Sequence, residues 1–320
     1  MPVKKNKIIL DCDPGHDDAI AMMLAWGNPN IDLLAVTTVA GNQSIEKVTH
    51  NALAIADVCN MKDLIIAKGC SRPIIRAEMQ NAVSIHGESG LDGAKLPQPV
   101  HALDKRNAVQ VIIDTVMQNP PCSITLVPIG PLTNIALAAR LEPKIVSRVK
   151  EVVLMGGSSY IGNCSDVAEF NIKADPEAAY IVFNEKWPIT MIGLNLTHQA
   201  LATNEVMSKI AALKNKPAEI ICDLINFFGK TYQKEQGFDA PPVHDPCAVA
   251  YVIDPALIKT RRVPINIELN GTYTSGMTVC DFRKAHYENC HTQLGLELDT
   301  KRFWELITDA VSRIGESGFQ

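Results

Sequence analysis

No CxxC pair occurs among the nine cysteines, and their number is odd, so they read as buried or free thiols rather than a disulfide framework. No stretch approaches eighteen uninterrupted apolar residues, which excludes a membrane-spanning helix. The N-terminus, MPVKKNKIILDC, has a basic start, but its apolar run is three residues long before Asp11 interrupts it, too short for a secretory signal. A cytoplasmic location is the expectation. Positive charge is not in excess: a net charge of −5 and a pI near 5.9 argue against a general nucleic-acid binder, which would carry a basic face. Repeats, low-complexity tracts and composition breaks are also missing. The 320 residues, 47% hydrophobic and 20% charged, are therefore expected to form one large domain spanning 1–320.

What is present is concentrated first in Lys7 to Trp26, KIILDCDPGHDDAIAMMLAW. Ile8-Ile9-Leu10 suits a short buried strand, Pro14-Gly15 a turn, and Asp17 to Trp26 a helix apolar on most faces. Four carboxylates, Asp11, Asp13, Asp17 and Asp18, crowd the junction within eight residues. One or two acids in a first helical turn follow from the helix dipole alone. Four on an otherwise apolar segment repel one another and call for a compensating cation, and hard oxygen ligands suit Ca²⁺ or Mg²⁺.

Beyond this unit, strand-like and helix-like segments alternate. Leu33–Thr38, Leu64–Ala67, Ile124–Ile129, Val152–Met155 and Ile189–Leu194 read as strands. The run from Ile45 to Cys59, Val109–Met117 and Asn134–Leu141 read as helices, and Asp175-Pro176 is a helix start. This rhythm predicts an α/β fold with a mainly parallel, doubly wound, Rossmann-like sheet. Residues 68–105 read as loop with some local structure, and 203–240 as mostly helical, ending in a mobile flap, TYQKEQGFDAPP. VPINIEL, TSGMTV and TQLGLEL, with a turn at Asn270-Gly271, predict a small antiparallel C-terminal addition.

In such sheets ligands collect outside the carboxyl ends of the strands. Asp13, Asn42, the Gly130/Thr133/Asn134 group, His198, and Gly156-Gly157 leading to Asn163, Glu169 and Asn171 all follow strands, which predicts one composite site. His244-Asp245 is ambiguous by itself, since Asp245 before Pro246 also reads as a helix cap. Very few lysines or arginines occur in these segments, Lys173 being the main one, which disfavours a phosphorylated substrate.

DCDPGHDDA is very similar to the DxDPGxDDA signature of the inosine-uridine-preferring nucleoside hydrolases, and the resemblance continues through VTTVAGNQ (36–43), HGESG (86–90), EVVLMGG (151–157), AEFNIKADPEAA (168–179), LTHQALAT (196–203) and VHDPCAVAYVIDP (243–255). It covers nearly the whole chain in order. The resemblance implies Ca²⁺-dependent hydrolysis of the N-glycosidic bond of ribonucleosides in purine and pyrimidine salvage. Asp13, Asp18 and Asp245, with the main-chain carbonyl of Ile129, would bind the ion. Isoleucine stands where the family often has threonine, which keeps the carbonyl but removes a hydroxyl. Asp13 would take the proton of the attacking water, and Asp17, Asn42, Asn163, Glu169 and Asn171 would hold the ribose. His244 is the first candidate to protonate the leaving base, because imidazole titrates near neutrality. Tyr232 aligns near the leaving group, His86 near the pocket, and Phe170 and Phe238 could pack against the base. His16 falls at a variable position of the signature and receives no role. The resemblance is closest to members accepting both inosine and uridine, and it implies a homo-oligomer, tetramer or dimer. Three other readings compete. An aspartyl-phosphate phosphatase shares a DxD after its first strand, but Gly15 stands where that chemistry wants a hydroxyl. A non-enzymic nucleoside-binding protein would have lost an acid, and all are present. A dinucleotide oxidoreductase lacks its GxGxxG.

Overall fold

A computed structural model describes residues 5–316; the basic start at residues 1–4 lies outside them. β1 (Asn6–Cys12) is buried on both sides of the sheet because its apolar residues alternate between two layers. Ile8, Leu10 and Cys12 face one core, which includes the helix α1 (His16–Gly27), while Ile9 joins the other, with Leu126 and Ile135. A strand buried on both faces belongs in the middle of a parallel sheet. β2 (Ile31–Thr38) and β4 (Ile124–Pro128) flank it in parallel, with Leu10 opposite both Val36 and Val127.

β3 (Ile65–Lys68), β5 (Val149–Met155) and β6 (Ile189–Ile192) extend the sheet, which has eight strands in the order β3-β2-β1-β4-β5-β6-β10-β7. The expected doubly wound α/β architecture is what forms. After β3 the chain crosses back over β1 to continue at β4, so the winding reverses between β1 and β4. The carboxyl ends of those two strands, at Asp13 and Ile129, border the crevice where such folds bind ligands.

The C-terminal region departs from expectation. TQLGLEL is β10 (Thr292–Leu298), and it joins the main sheet parallel to β6 instead of a separate antiparallel unit. β7 (Ile258–Arg262), not foreseen from sequence, closes the sheet antiparallel to β10. β8 (Ile265–Ile267) and β9 (Thr278–Cys280) make the small antiparallel addition, and the connection between them, 268–277, contains Asn270-Gly271. Short alternating segments carry little information about which edge they will join; the parallel slot beside β6 decides it. TYQKEQGFDAPP also differs from the expected flap. Its first half completes a helix, Lys216–Gln236, which stops at the left-handed Gly237. No described helix is long and apolar enough to cross a membrane.

α1 packs along the C-terminal helix Thr300–Ile314. At the crossing, a Cβ on Gly27 would stand 2.4 Å from the main-chain oxygen of Ala310. Alanine ordinarily favours a helix over glycine, by up to about 1 kcal/mol in a helix interior. Here Gly27→Ala should reverse that sign and destabilise by about 1–3 kcal/mol through overpacking against backbone. Urea midpoints of the two proteins measure it, and a neutral or stabilising result would show that the helices separate freely.

Candidate active site

Asp13 leaves the end of β1, and α1 begins three residues later with its acids in the first turn. Asp18 turns back on the junction. Its Oδ2 accepts the Gly15 amide at 2.9 Å, its Oδ1 the Asp13 amide at 3.1 Å, and Asn42 Nδ2 donates to Oδ2 at 3.2 Å. The capping role weighed from sequence is thus real for Asp18, yet it leaves acceptor capacity on a carboxylate with about four lone-pair sites. Asp13 Oδ2 accepts the Asn42 amide at 2.7 Å, while its Oδ1 is buried without a hydrogen-bond partner. Asp17 Oδ2 accepts the His244 amide at 3.1 Å. Asp245 stands at the N-cap position of the helix Pro246–Ile253, but its backbone is already helical and its side chain makes no cap. The capping alternative for Asp245 fails, which frees its carboxylate for the site.

Asp17, Asp18 and Asp245 each place a carboxylate oxygen within 4.8 Å of the others, all buried. Asp17, one of the four crowded acids and given a ribose role by the resemblance, is therefore part of the acidic cluster, whereas Asp13 falls outside that mutual distance. Ile129 turns its carbonyl into the same region, where it accepts Asn171 Nδ2 at 2.9 Å and keeps a second lone pair. Burial pushes Asp17 up to about 7, with the Asp18 charge adding to it. Asp13 and Asp245 are raised well above the ordinary range, first by burial and then by the neighbouring carboxylates. Asp18 is raised by burial as well. Such a group of acids fits a hard divalent cation, because bare, desolvated oxygens lose their mutual repulsion only to positive charge or protons.

Above the cluster lies a cavity of about 280 Å³, walled by Asp17, Asn42, His86, Ile129, Asn163, Glu169, Phe170, Asn171, Tyr232, His244 and Asp245. Tertiary structure thus brings these expected residues together, while Asp13 and Asp18 are enclosed and absent from the wall. His198 and the Gly130/Thr133/Asn134 group, expected in the same composite site, do not line it either: Thr133 bonds to Asp175, and Asn134 to Asp11 and the Thr38 carbonyl. The wall also includes Met155 and Phe228, which the sequence did not single out as site residues, and no lysine or arginine among the described residues. Lys173 instead donates to the Ser275 carbonyl at 2.8 Å. Phe238 is not in the wall; it packs edge-on against His198 and Tyr232.

Main-chain groups fix which polar atoms remain available. Glu169 caps the short helix Phe170–Ala174, accepting the Gly157, Asn171 and Ile172 amides at 2.8, 2.8 and 3.2 Å. Burial nonetheless lifts its pKa to about 7 against those bonds. Asn163 Oδ1 accepts the Phe170 amide, leaving its Nδ2 as a donor. Asn171 Nδ2 donates to the Ile129 and Met155 carbonyls, leaving Oδ1 as an acceptor. Asn42 likewise keeps only Oδ1 free. Mixed donors and acceptors of this kind match hydroxyl groups.

His244 differs from expectation. Its Nδ1 lies 2.7 Å from Thr197 Oγ1 and its Nε2 2.7 Å from Tyr232 Oη, so both ring nitrogens have partners. Burial lowers its pKa to about 3, with the nearby His198 adding to the effect, so it does not titrate near neutrality in this state. Thr197, on the turn after β6, was not foreseen; the only sequence hint was its place in LTHQALAT. Asp11 was counted among the four acids but sits apart. It accepts Thr37 Oγ1 at 2.5 Å and Asn134 Nδ2 at 2.8 Å, and burial raises it to about 7. His16, given no role from sequence, is buried beside His86.

A parallel α/β sheet whose switch-point cavity is walled by carboxylates, amides and imidazoles defines a hydrolytic enzyme for neutral, hydroxyl-bearing substrates. The family model of the inosine-uridine preferring nucleoside hydrolases matches residues 8–305. An inosine-uridine preferring nucleoside hydrolase of Leishmania major is 56% identical over 97% of this chain and 99% of its own length. A pyrimidine-specific ribonucleoside hydrolase of Escherichia coli O9:H4 (strain HS) is 42% identical over 97% of this chain and 98% of its own. The solved structure of a purine-preferring ribonucleoside hydrolase from Gardnerella vaginalis superposes with a TM-score of 0.91 at 32% identity, covering 97% and 99% of the two chains. The chain belongs to the inosine-uridine preferring nucleoside hydrolase family and acts on N-glycosyl bonds.

The raised carboxylates give a signed prediction. Asp17 keeps its proton in the fold up to about 7, whereas an unfolded aspartate loses it near 3.8. Between those values the metal-free fold binds more protons than the unfolded chain, so the group's contribution falls as pH rises. A divalent cation replaces those protons, so its binding should strengthen with pH. The rise in melting temperature on adding calcium, relative to chelator, should be small near about pH 5 and grow towards about pH 8. Scanning fluorimetry reads the difference, in which other titrating groups largely cancel. A calcium effect independent of pH would mean that the cluster is already ionised without the ion.

Proposed function

We propose that this chain is a Ca²⁺-dependent ribonucleoside hydrolase that releases free base and ribose from both purine and pyrimidine nucleosides, such as inosine and uridine, in nucleoside salvage. The observation that carries this reading is a cavity walled by acids and amides, without lysine or arginine, set against a buried carboxylate cluster. Asp18 and Asp245, with Asp13 and the Ile129 carbonyl, would hold the ion, and the place of Asp17 beside Asp18 and Asp245 would let it serve both ion and ribose. A calcium ion held there would supply the positive charge that lowers the pKa of a water and favours hydroxyl oxygens as ligands.

The chain's own groups do the rest. Asp13, with a bare Oδ1 and a raised pKa, takes the proton of the attacking water. Asn42, Asn163, Glu169 and Asn171 orient the sugar hydroxyls. Positive charge developing at the anomeric carbon is stabilised by the surrounding carboxylates. The Tyr232–His244 pair stands at the leaving-group side, with Phe170 and Phe228 as apolar wall. A buried neutral His244 bonded to Tyr232 hands its effect on through the phenol hydroxyl. Free thiols throughout the described residues support a reducing, cytoplasmic setting. Assembly into a homo-oligomer, a tetramer or dimer, follows the family resemblance, and light scattering on the purified protein reads it directly.

Asp13→Asn should lower turnover by about 10²–10⁴-fold, the usual contribution of a general base. Calorimetry should show weaker calcium binding by the same variant. Uridine should far outpace 2′-deoxyuridine, since the ion and Asp17 both lose a partner; equal rates would remove the ribose clamp.

The leaving-group side has its own test. His244→Ala and Tyr232→Phe should slow inosine and uridine much more than p-nitrophenyl riboside, whose leaving group needs no proton. If all three substrates slow alike, the pair positions the substrate and does not assist departure.

A further inference from the structure

His86 lines the cavity, and among the described residues its Nε2 has no protein partner. Its other nitrogen is held from behind by α1. His86 Nδ1 lies 3.0 Å from Nδ1 of His16, and His16 Nε2 lies 2.8 Å from the main-chain oxygen of Asp92. The His16 ring is buried in a stack of rings, with centroids 5.5 Å from Phe227, 5.0 Å from Phe228 and 5.2 Å from His86, at interplanar angles of 4°, 16° and 24°. Thr231 Oγ1, on the same helix as those phenylalanines, donates to the Ile85 carbonyl at 2.9 Å and ties that helix to the turn carrying His86. At Gly15 a Cβ would stand 2.5 Å from His86 Nδ1, so the two rings meet only because position 15 has no side chain.

The direction of each hydrogen bond follows from the carbonyl. A carbonyl only accepts, so His16 must carry its proton on Nε2. The ring is buried in that aromatic stack and no carboxylate bonds to either nitrogen; burial keeps it neutral against the weaker pull of the Asp92 charge. A neutral imidazole has a single N–H, so His16 Nδ1 is an acceptor. His86 must then donate from Nδ1, which leaves its Nε2 as a lone pair. The reverse assignment would set the His16 Nε2 lone pair against the Asp92 oxygen at 2.8 Å. The His16 amide also points at His86 Nδ1, at 3.3 Å. That contact favours an accepting Nδ1, but at 3.3 Å it is the longest of the three and yields to the 2.8 and 3.0 Å ring contacts.

We propose that His16 is a positioning residue that locks His86 in its Nδ1–H tautomer, so that His86 presents an obligate acceptor, Nε2, to a hydroxyl or N–H donor of the bound nucleoside. The sugar or base donor is thereby recognised, and a carbonyl or ether oxygen at the same place is rejected. This rests on the nucleoside hydrolase reading for its ligand, but the tautomer itself does not. His16 acts through His86 and need not touch the substrate.

The closing experiment has a substrate-free arm and a kinetic arm. In ¹⁵N-histidine NMR of the wild-type protein, His86 should show a protonated Nδ1 and a pyridine-like Nε2; a protonated Nε2 overturns the proposal, whatever the enzyme hydrolyses. His16→Phe keeps a flat ring for the stack and removes both nitrogens. It should let His86 exchange tautomers and raise KM for uridine and inosine about tenfold, with less change in kcat. His16→Gln, whose amide can accept from His86 and donate to Asp92, should recover KM to within about threefold of wild type and restore the NMR signature. In the pair with His86→Ala, the His16→Phe effect should vanish, because its target is gone. Effects of His16→Phe and His86→Ala that simply multiply would overturn the proposal. Failure of the wild type to release ribose would instead count against the nucleoside reading, leaving the tautomer measurement intact.

Discussion

The repulsion among buried carboxylates is the interaction on which the site depends. Asp13, Asp17, Asp18 and Asp245 arrive from two ends of the chain and are all withdrawn from water. Without a cation, burial forces protons back onto them, which is the physical content of their raised pKa values. The fold can hold such a cluster because rigid elements impose it. β1 is clamped between β2 and β4, α1 is buried nearly all round, and the Pro246–Ile253 helix is fully buried as well. Energy stored in like charges is then available to an ion that relieves it.

Main-chain groups do much of the remaining work. Glu169 and Asn163 are oriented by amides of the segment that carries them, and Asn171 and Asn42 by groups at the ends of neighbouring strands, which leaves few polar atoms uncommitted. A buried polar side chain that must satisfy a backbone group has one orientation, so its free atom is aimed without added side-chain entropy. The same logic runs through His244, held between Thr197 and Tyr232, and through His86, held by His16. One wall of the cavity comes from strand ends and short helices, the other from the Lys216–Gln236 helix and the 80–86 segment. Relatives with nearly complete coverage are described variously as inosine-uridine preferring, pyrimidine-specific and purine-preferring.

The sequence by itself determined the first βα unit, the doubly wound parallel sheet and the membership of most cavity residues, because each has a local cause. Ile8–Leu10 can only be a doubly buried strand, Asp175-Pro176 caps its helix with a bond to the Ala178 amide, and polar residues placed after parallel strands must converge at one sheet edge. Tertiary structure decided what local causes leave open. TQLGLEL had no sequence signal for a parallel slot beside β6, and β7 exists because β10 offered it an edge. Asp11 and Asp13 are two residues apart at the end of β1, yet Thr37 and Asn134 draw Asp11 into a separate network, while Asp13 is held by the Asn42 amide. His244 carries a neutral ring because of how deeply it is enclosed, and His16 gains its partner from a loop seventy residues away. Residue type and strand order are written along the chain; burial and hydrogen-bond direction belong to groups that meet only after it folds.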